Sequence, residues 1–243
     1  RRAFRVTSLF HNARKTQIDM GCDADKSLVI PNGIQFDRFK GIPLKTDDGW
    51  VDIGAVVRLA PIKDVKTMIY AFFELHERLP KVRLHIMGGV DDEEYGAECH
   101  ALVETLGVRD LIFTGRVNVV EYMEKLDFTI LTSISEGQPL SVLESLAARR
   151  PCVTTEVGCC RELLEGARGD DFGVAGFVTP PMYRKGLADA MERMCTSRAR
   201  RIEMGERGQR RVATYFLHEQ MLANYRALYD ETAQAFDLPR EGE

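Results

Sequence analysis

The chain has 243 residues, 44% hydrophobic and 29% charged, with a formal net charge of −4. This composition suits a globular protein of one large or two smaller domains. The balance leaves no global basic excess to hold nucleic acid or an anionic membrane, and no apolar run nears the roughly 18 residues of a membrane span.

The first stretch, "RRAFRVTSLFHNARKTQIDMG", has no initiator Met and reads as helix-like material at the end of some preceding unit, as in a piece of a longer protein. "DAD" at 23–25 matches the D-x-D pattern of metal-dependent transferases, but it sits in a polar turn and reads as turn chemistry. "KGIPLKTDDG" (40–49) is the best linker. "WVDIGAVVRL" (50–59) reads as a buried strand. The helix that follows (63–80) places Val65, Met68, Ile69, Phe72, Phe73 and Leu75 on one face. A strand at 81–89 ends in glycines, and a helix at 93–107 has Gly107 as its cap. Then come a strand at 111–117, a helix at 119–126, a strand at 127–133, a helix at 139–150 and strands at 151–157 and 175–179. From 183 on the pattern is helical, and Met221, Leu222, Tyr225, Leu228 and Tyr229 form an apolar stripe on the final helix. The basic run Arg198 to Arg211, interleaved with Glu203 and Glu206, reads as a solvated face.

Strands alternating with helices make βαβ units, hence an α/β fold with a mainly parallel, doubly wound, Rossmann-like sheet. Such sheets bind ligands at the carboxyl ends of their strands. Arg58, Gly88, Gly115 and Glu136 all fall near strand ends, so the fold should gather them on one rim. The six cysteines form no C-x-x-C pair and fit no zinc spacing with the histidines; free thiols in a reducing cytoplasm are the plain reading.

One segment is sharper. "SISEGQPLSVLES" (133–145) sets Glu136 and Glu144 eight positions apart, flanking a glycine, a proline and the start of a helix. A nucleoside diphosphate needs cations beside its phosphates, amides from a helix N-terminus and a carboxylate for its ribose. Arg58 and Lys63 could supply the cations, and Leu140 and Ser141 the amides. Plain surface charge at Arg58 and Lys63, and plain loop and helix polarity at the two glutamates, is the competing reading.

"RLAPIK" (58–63) together with "SEGQPLSVLE" (135–144) and "VIPNGIQFDRF" (29–39) resembles the family 4 retaining glycosyltransferases of GT-B fold, with their R-L-x-x-x-K stretch, E-x7-E motif and I-P-N-G junction. Within that family, "VRLAPIKDVKTMIYAF" and "LTSISEGQPLSVLE" are most similar to the cytoplasmic glycosyltransferase of Pel-type exopolysaccharide synthesis. The resemblance implies a donor-binding half that transfers a hexose from a UDP-sugar to a growing glycan. Arg58 and Lys63 would hold the diphosphate and stabilise the leaving group. Glu136 would meet the sugar, Leu140 and Ser141 the phosphates, and Glu144 the ribose, with Gly137 also at the donor and the backbone of Arg116 and Val117 at the base. No cofactor beyond the donor substrate and no metal are implied.

The implied partners are the nucleotide-sugar donor, a glycan acceptor held mainly by a preceding domain, and a membrane polysaccharide-export complex, with no nucleic acid. The implied location is the cytoplasm, peripheral to the inner membrane through partners. The implied organisation is 1–39 as the end of an acceptor domain and junction, 40–50 as linker, 51–215 as the nucleotide-sugar-binding domain, and 216–243 as a helix packing back toward the acceptor domain. A non-catalytic or epimerase-like nucleotide-sugar-binding module of the same fold is the alternative. The chain departs from the family at Pro139 and Asp64, where glycine is frequent, and at Cys159 and Cys160. Proline removes the backbone donor at 139.

Overall fold

The computed structural model describes residues 3–167 and 169–237. Among these, β3 (Val51–Val56), β4 (Val82–Met87), β5 (Leu111–Gly115), β6 (Phe128–Leu131), β7 (Cys152–Thr155) and β8 (Gly176–Thr179) form one six-stranded sheet, introduced after a smaller pair, β1 (Val6–Ser8) and β2 (Ser27–Val29). The larger sheet has the order β5-β4-β3-β6-β7-β8, and its paired strands are parallel. The chain builds outward from β3 through β4 to β5, then returns to lay β6 against the other side of β3. Strand order therefore reverses between β3 and β6, the crevice where parallel sheets of this type take ligands.

Burial on both faces leaves β6 and β7 buried along their whole length, whereas β4 alternates, with Arg83 and His85 both bonded to Asp52. On one face α2 (Val65–Arg78), α3 (Glu93–Leu106) and α7 (Arg184–Cys195) enclose a core that includes Ile53, Phe72, Leu84 and Met191. On the other, α5 (Leu140–Ala147), α6 (Cys160–Glu165) and α8 (Arg198–Tyr215) close over Leu131, Leu143, Leu146 and Leu163. The short α4 (Val119–Tyr122) joins β5 to β6. Among the described residues no helix is long and apolar enough to cross a membrane.

The structure corrects four expectations. The opening segment is not solely helical: α1 (His11–Asp19) lies between β1 and β2, which pair in parallel from Val6 opposite Ser27. Helix α6 was not expected at all. On α2, Ala71 takes a fully buried place while Phe73 is only half-buried. The basic run is not wholly a solvated face. Arg201 pairs with Asp127, and Arg211 is 1% exposed, bonded to Asp170 and to the carbonyls of Leu163, Leu164 and Gly173.

The final helix, α9 (His218–Phe236), has no fully buried residue. It meets the N-terminal segment through an Arg5–Glu231 ion pair and an edge-on Phe4–Phe236 contact with ring centroids 5.5 Å apart. Residues 238–243, the end of the unit expected at 216–243, lie outside the described residues, as do residues 1 and 2. The 40–49 segment is held down by Lys45, which reaches Asp48, Asp52 and Asp127 at the sheet's amino end. Burial opposes the charge on Asp52, but hydrogen bonds from His85, Arg83 and Lys45 hold its carboxyl well below the usual range.

Candidate functional site

Two loops meet at the strand-order reversal. The one after β3 runs through a tight 3-10 turn, Pro61–Lys63, into α2; the one after β6 runs through Glu136 into α5. They are bonded to each other: Ile134 N donates to Ile62 O at 2.9 Å, and Thr132 Oγ1 donates to the carbonyls of Lys63 and Asp64 at 2.9 and 3.1 Å. This dock brings Lys63 Nζ to 2.6 Å from Glu136 Oε1, an oxygen that also accepts from Ser133 Oγ at 2.7 Å.

Arg58 lies two residues past the end of β3. Its side chain is 62% exposed, and Nη1 donates to Asp91 Oδ2 at 2.7 Å. Arg58, Lys63, Arg116 and Val117 line a common cleft of about 460 Å³ with Gly88 and Gly89. The predicted cations and the predicted base-contact residues are thus brought together. Glu136 joins them through Lys63.

Leu140 and Ser141 form the first positions of α5. Its cap residue, Pro139, offers no side-chain partner to them, so the first amides lack a cap, and neither residue is among those that line the cleft. Glu144 sits farther along α5 and does not line the cleft. It is half-buried, and burial raises its carboxyl above the usual glutamate range, partly offset by the positive charge of Arg38 in the junction segment.

The 136–139 loop is braced from behind. Gly137 O accepts from Cys159 N at 3.0 Å, and a Cβ on Gly158, at φ 51°, would lie 2.0 Å from Gly137 O. Gln138 is buried and clasps the junction: Oε1 accepts from Asn32 N at 2.7 Å, and Nε2 donates to Asn32 O at 3.4 Å. Asp64, where the family often has glycine, is in the left-handed region (φ 47°, ψ 47°). Aspartate tolerates that region better than most residues, and its carboxylate accepts from Thr67 N to cap α2.

Sequence reasoning missed Asp91, Ser133, Gln138 and Arg38. Only Ser133 carries a local signal, three residues before Glu136; the others act across long separations. "DAD" is a turn, with Asp23 accepting from Asp25 N at 3.0 Å. Among the described residues no group of three His, Cys, Asp or Glu side chains is placed to share a metal ion. Cys159 and Cys160 are buried free thiols, and burial pushes Cys160 up to about 12. A second cavity, of about 290 Å³, lies behind Gln138 among mainly apolar side chains such as Leu9, Phe10, Leu163 and Phe216. Its guanidinium, Arg211, is already bonded to Asp170, which makes it a poor place for a diphosphate.

The sequence profile of the family described as "Glycosyl transferases group 1" matches residues 51–197. The chain is similar to an alpha-monoglucosyldiacylglycerol synthase from Streptococcus pneumoniae, 29% identical over 141 residues, covering 51% of this chain and 31% of the relative. It is also similar to an N-acetyl-alpha-D-glucosaminyl L-malate synthase from Bacillus anthracis, 26% identical over 170 residues, covering 69% of this chain and 42% of the relative. Each match covers less than half of the relative's length. In fold, the chain superposes on Anabaena HepE in complex with UDP and glucose with a TM-score of 0.76 at 21% identity, covering 94% of this chain and 63% of the other.

Proposed function

The chain belongs to the family of group 1 glycosyl transferases, and on that premise we propose that it is the donor-binding part of a retaining hexosyltransferase that takes its sugar from a UDP-sugar. The observation that carries this reading is the pairing of Lys63 with Glu136 across the strand-order reversal, beside a cleft that also holds Arg58. A diphosphate in the cleft would draw Arg58 and Lys63 onto its oxygens, where they neutralise charge as the bond to the sugar breaks. The uncapped amides of Leu140 and Ser141 add partial positive charge on the same side. Glu136 and Gly137 hold the sugar, Glu144 the ribose, and the Arg116–Val117 backbone the base.

Counter-charge in this reading comes from arginine, lysine and helix amides, without a divalent metal and without a further cofactor. The uridine assignment is supported by the family resemblance and by HepE, whose structure holds UDP and glucose. The acceptor is a growing exopolysaccharide, as of the Pel type, or a similar glycan, held mainly by a second lobe on the side of β1 and β2. The reaction takes place in the cytoplasm, next to a membrane export complex. In the domain division that goes with this reading, 51–215 is the nucleotide-sugar unit and 40–50 the linker to the acceptor side.

Isothermal titration of the full-length protein with UDP-, GDP- and ADP-hexoses tests the donor. UDP-hexose should bind best, and a clear preference for a GDP or ADP sugar overturns the base assignment. Turnover should persist in excess EDTA; loss restored by Mg²⁺ or Mn²⁺ overturns the metal-free reading.

A further inference from the structure

We propose that Asp91 is a positioning residue that parks the Arg58 guanidinium at the mouth of the cleft and competes with the diphosphate for it. The inference rests on the donor reading above. Its basis is that Asp91 is held in place by backbone bonds and not by its side chain alone. Leu59 N donates to Gly89 O at 3.0 Å, and the amides of Asp91 and Asp92 both donate to Leu59 O at 3.1 Å. The segment after β4 is thus zipped to the residue next to Arg58. Asp92 is occupied elsewhere, accepting from Tyr95 N at 2.9 Å to cap α3. Asp91 alone of the two faces Arg58, at 2.7 Å.

The two ion pairs at this rim differ in exposure. Lys63 and Glu136 are 21% and 14% exposed, and they keep the two loops docked. Arg58 and Asp91 are 62% and 46% exposed. An exposed pair is screened and weak, strong enough to select one resting rotamer and weak enough for a polyanion to displace. Swinging Arg58 onto a phosphate breaks its bond to Asp91 and leaves a carboxylate near the ligand. Asp91 therefore weakens the hold on donor and on spent nucleotide alike, and it favours departure of the product, a step that limits turnover in many enzymes.

The test is calorimetric titration of UDP into the full-length protein at low ionic strength, with Asp91→Asn, Arg58→Ala and the double variant. Asp91→Asn should tighten UDP about fivefold, within the range of a surface ion pair. In the Arg58→Ala background the same change should do nearly nothing, because the competition has lost its object. Glu93→Gln, which removes a charge two residues along the chain from Asp91 with no bond to Arg58, should shift UDP less than about twofold at this ionic strength. An unchanged or weakened affinity in Asp91→Asn overturns the proposal while leaving the donor reading intact. So does a gain that survives in Arg58→Ala, since Asp91 would then act by general repulsion. If the unmodified protein binds no UDP, the donor reading falls and this proposal with it.

Discussion

Lys63 Nζ and Glu136 Oε1 lie 2.6 Å apart, although their residues are 73 positions apart in the chain. The pair ties the loop after β3 to the loop after β6. A diphosphate would take Lys63 as a counter-ion and leave Glu136 its bond from Ser133, so the carboxylate stays fixed as the lysine turns.

That division predicts different consequences for the two glutamates. Positive charge grows at the anomeric carbon as the diphosphate leaves, and a fixed carboxylate and correct sugar placement matter most then. Glu136→Gln should lower kcat of the full-length enzyme about 100-fold or more, equivalent to about 3 kcal/mol, while UDP still binds. Steady-state kinetics with UDP titration checks this; intact kcat with lost UDP binding would reverse the assigned roles.

Glu144→Gln should weaken UDP by about 1–2 kcal/mol, as charge-assisted bonds to ribose become neutral ones. The folded state holds the Glu144 proton above the ordinary value of 4.5, owing to burial partly offset by Arg38. Stability from this site is therefore complete below the ordinary value and lost as pH rises through the raised one. The permanently neutral glutamine should make the unliganded protein more heat-stable at neutral pH, even as it binds UDP less well. In the unmodified protein, UDP affinity should begin to fall on acidification above pH 4.5, and Glu144→Gln should remove that part of the profile. Melting curves and titrations across pH supply both readings.

Gly158→Ala puts a methyl group where Gly137 O stands, 2.0 Å away, at a backbone angle of φ 51° that disfavours a side chain. The 136–139 loop must shift to admit it. A stability loss of about 2 kcal/mol or more should accompany weaker UDP binding. Urea unfolding followed by calorimetry tests the pair of effects; a variant with unmoved midpoint and affinity would mean the loop yields freely.

Asp170→Asn tests a feature remote from the cleft. Arg211 and Asp170 are 1% and 4% exposed, so removing one charge strands the other in the core. The expected cost is about 3–5 kcal/mol in denaturant unfolding. Where the variant remains folded, UDP affinity should be unchanged. A cost below about 1 kcal/mol would show that water reaches the guanidinium.

The larger sheet was legible because short strand-like runs, β4 alternating and the others mostly apolar, are separated by helices that carry an apolar face at a spacing of three or four. Arg58, Lys63 and Glu136 were legible as neighbours because each follows a strand of one parallel sheet. Strands β1 and β2 were not, since each has only three residues, too few to establish a period. Helix α6, six residues long and opened by Cys160, gave no cap and less than two turns of pattern. The burial of Arg211 depends on Asp170, 41 positions away, and no local pattern marks an arginine whose partner is so distant. Asp91 was hidden for the same reason: its meaning comes from the backbone zip at Leu59.

The clasp of Gln138 on both polar groups of the Asn32 backbone has a thermodynamic consequence. Asn32 adjoins Gly33, where a Cβ would stand 2.2 Å from Leu217 O, so the junction is wedged on its other side by the chain entering α9. The loop that carries Glu136 and the joint that leads to β1 and β2 are thereby bonded to each other. If a ligand orders the loop, part of that free energy would be felt at the joint, and by reciprocity a turn of the joint would change the loop's affinity for the ligand by the same amount.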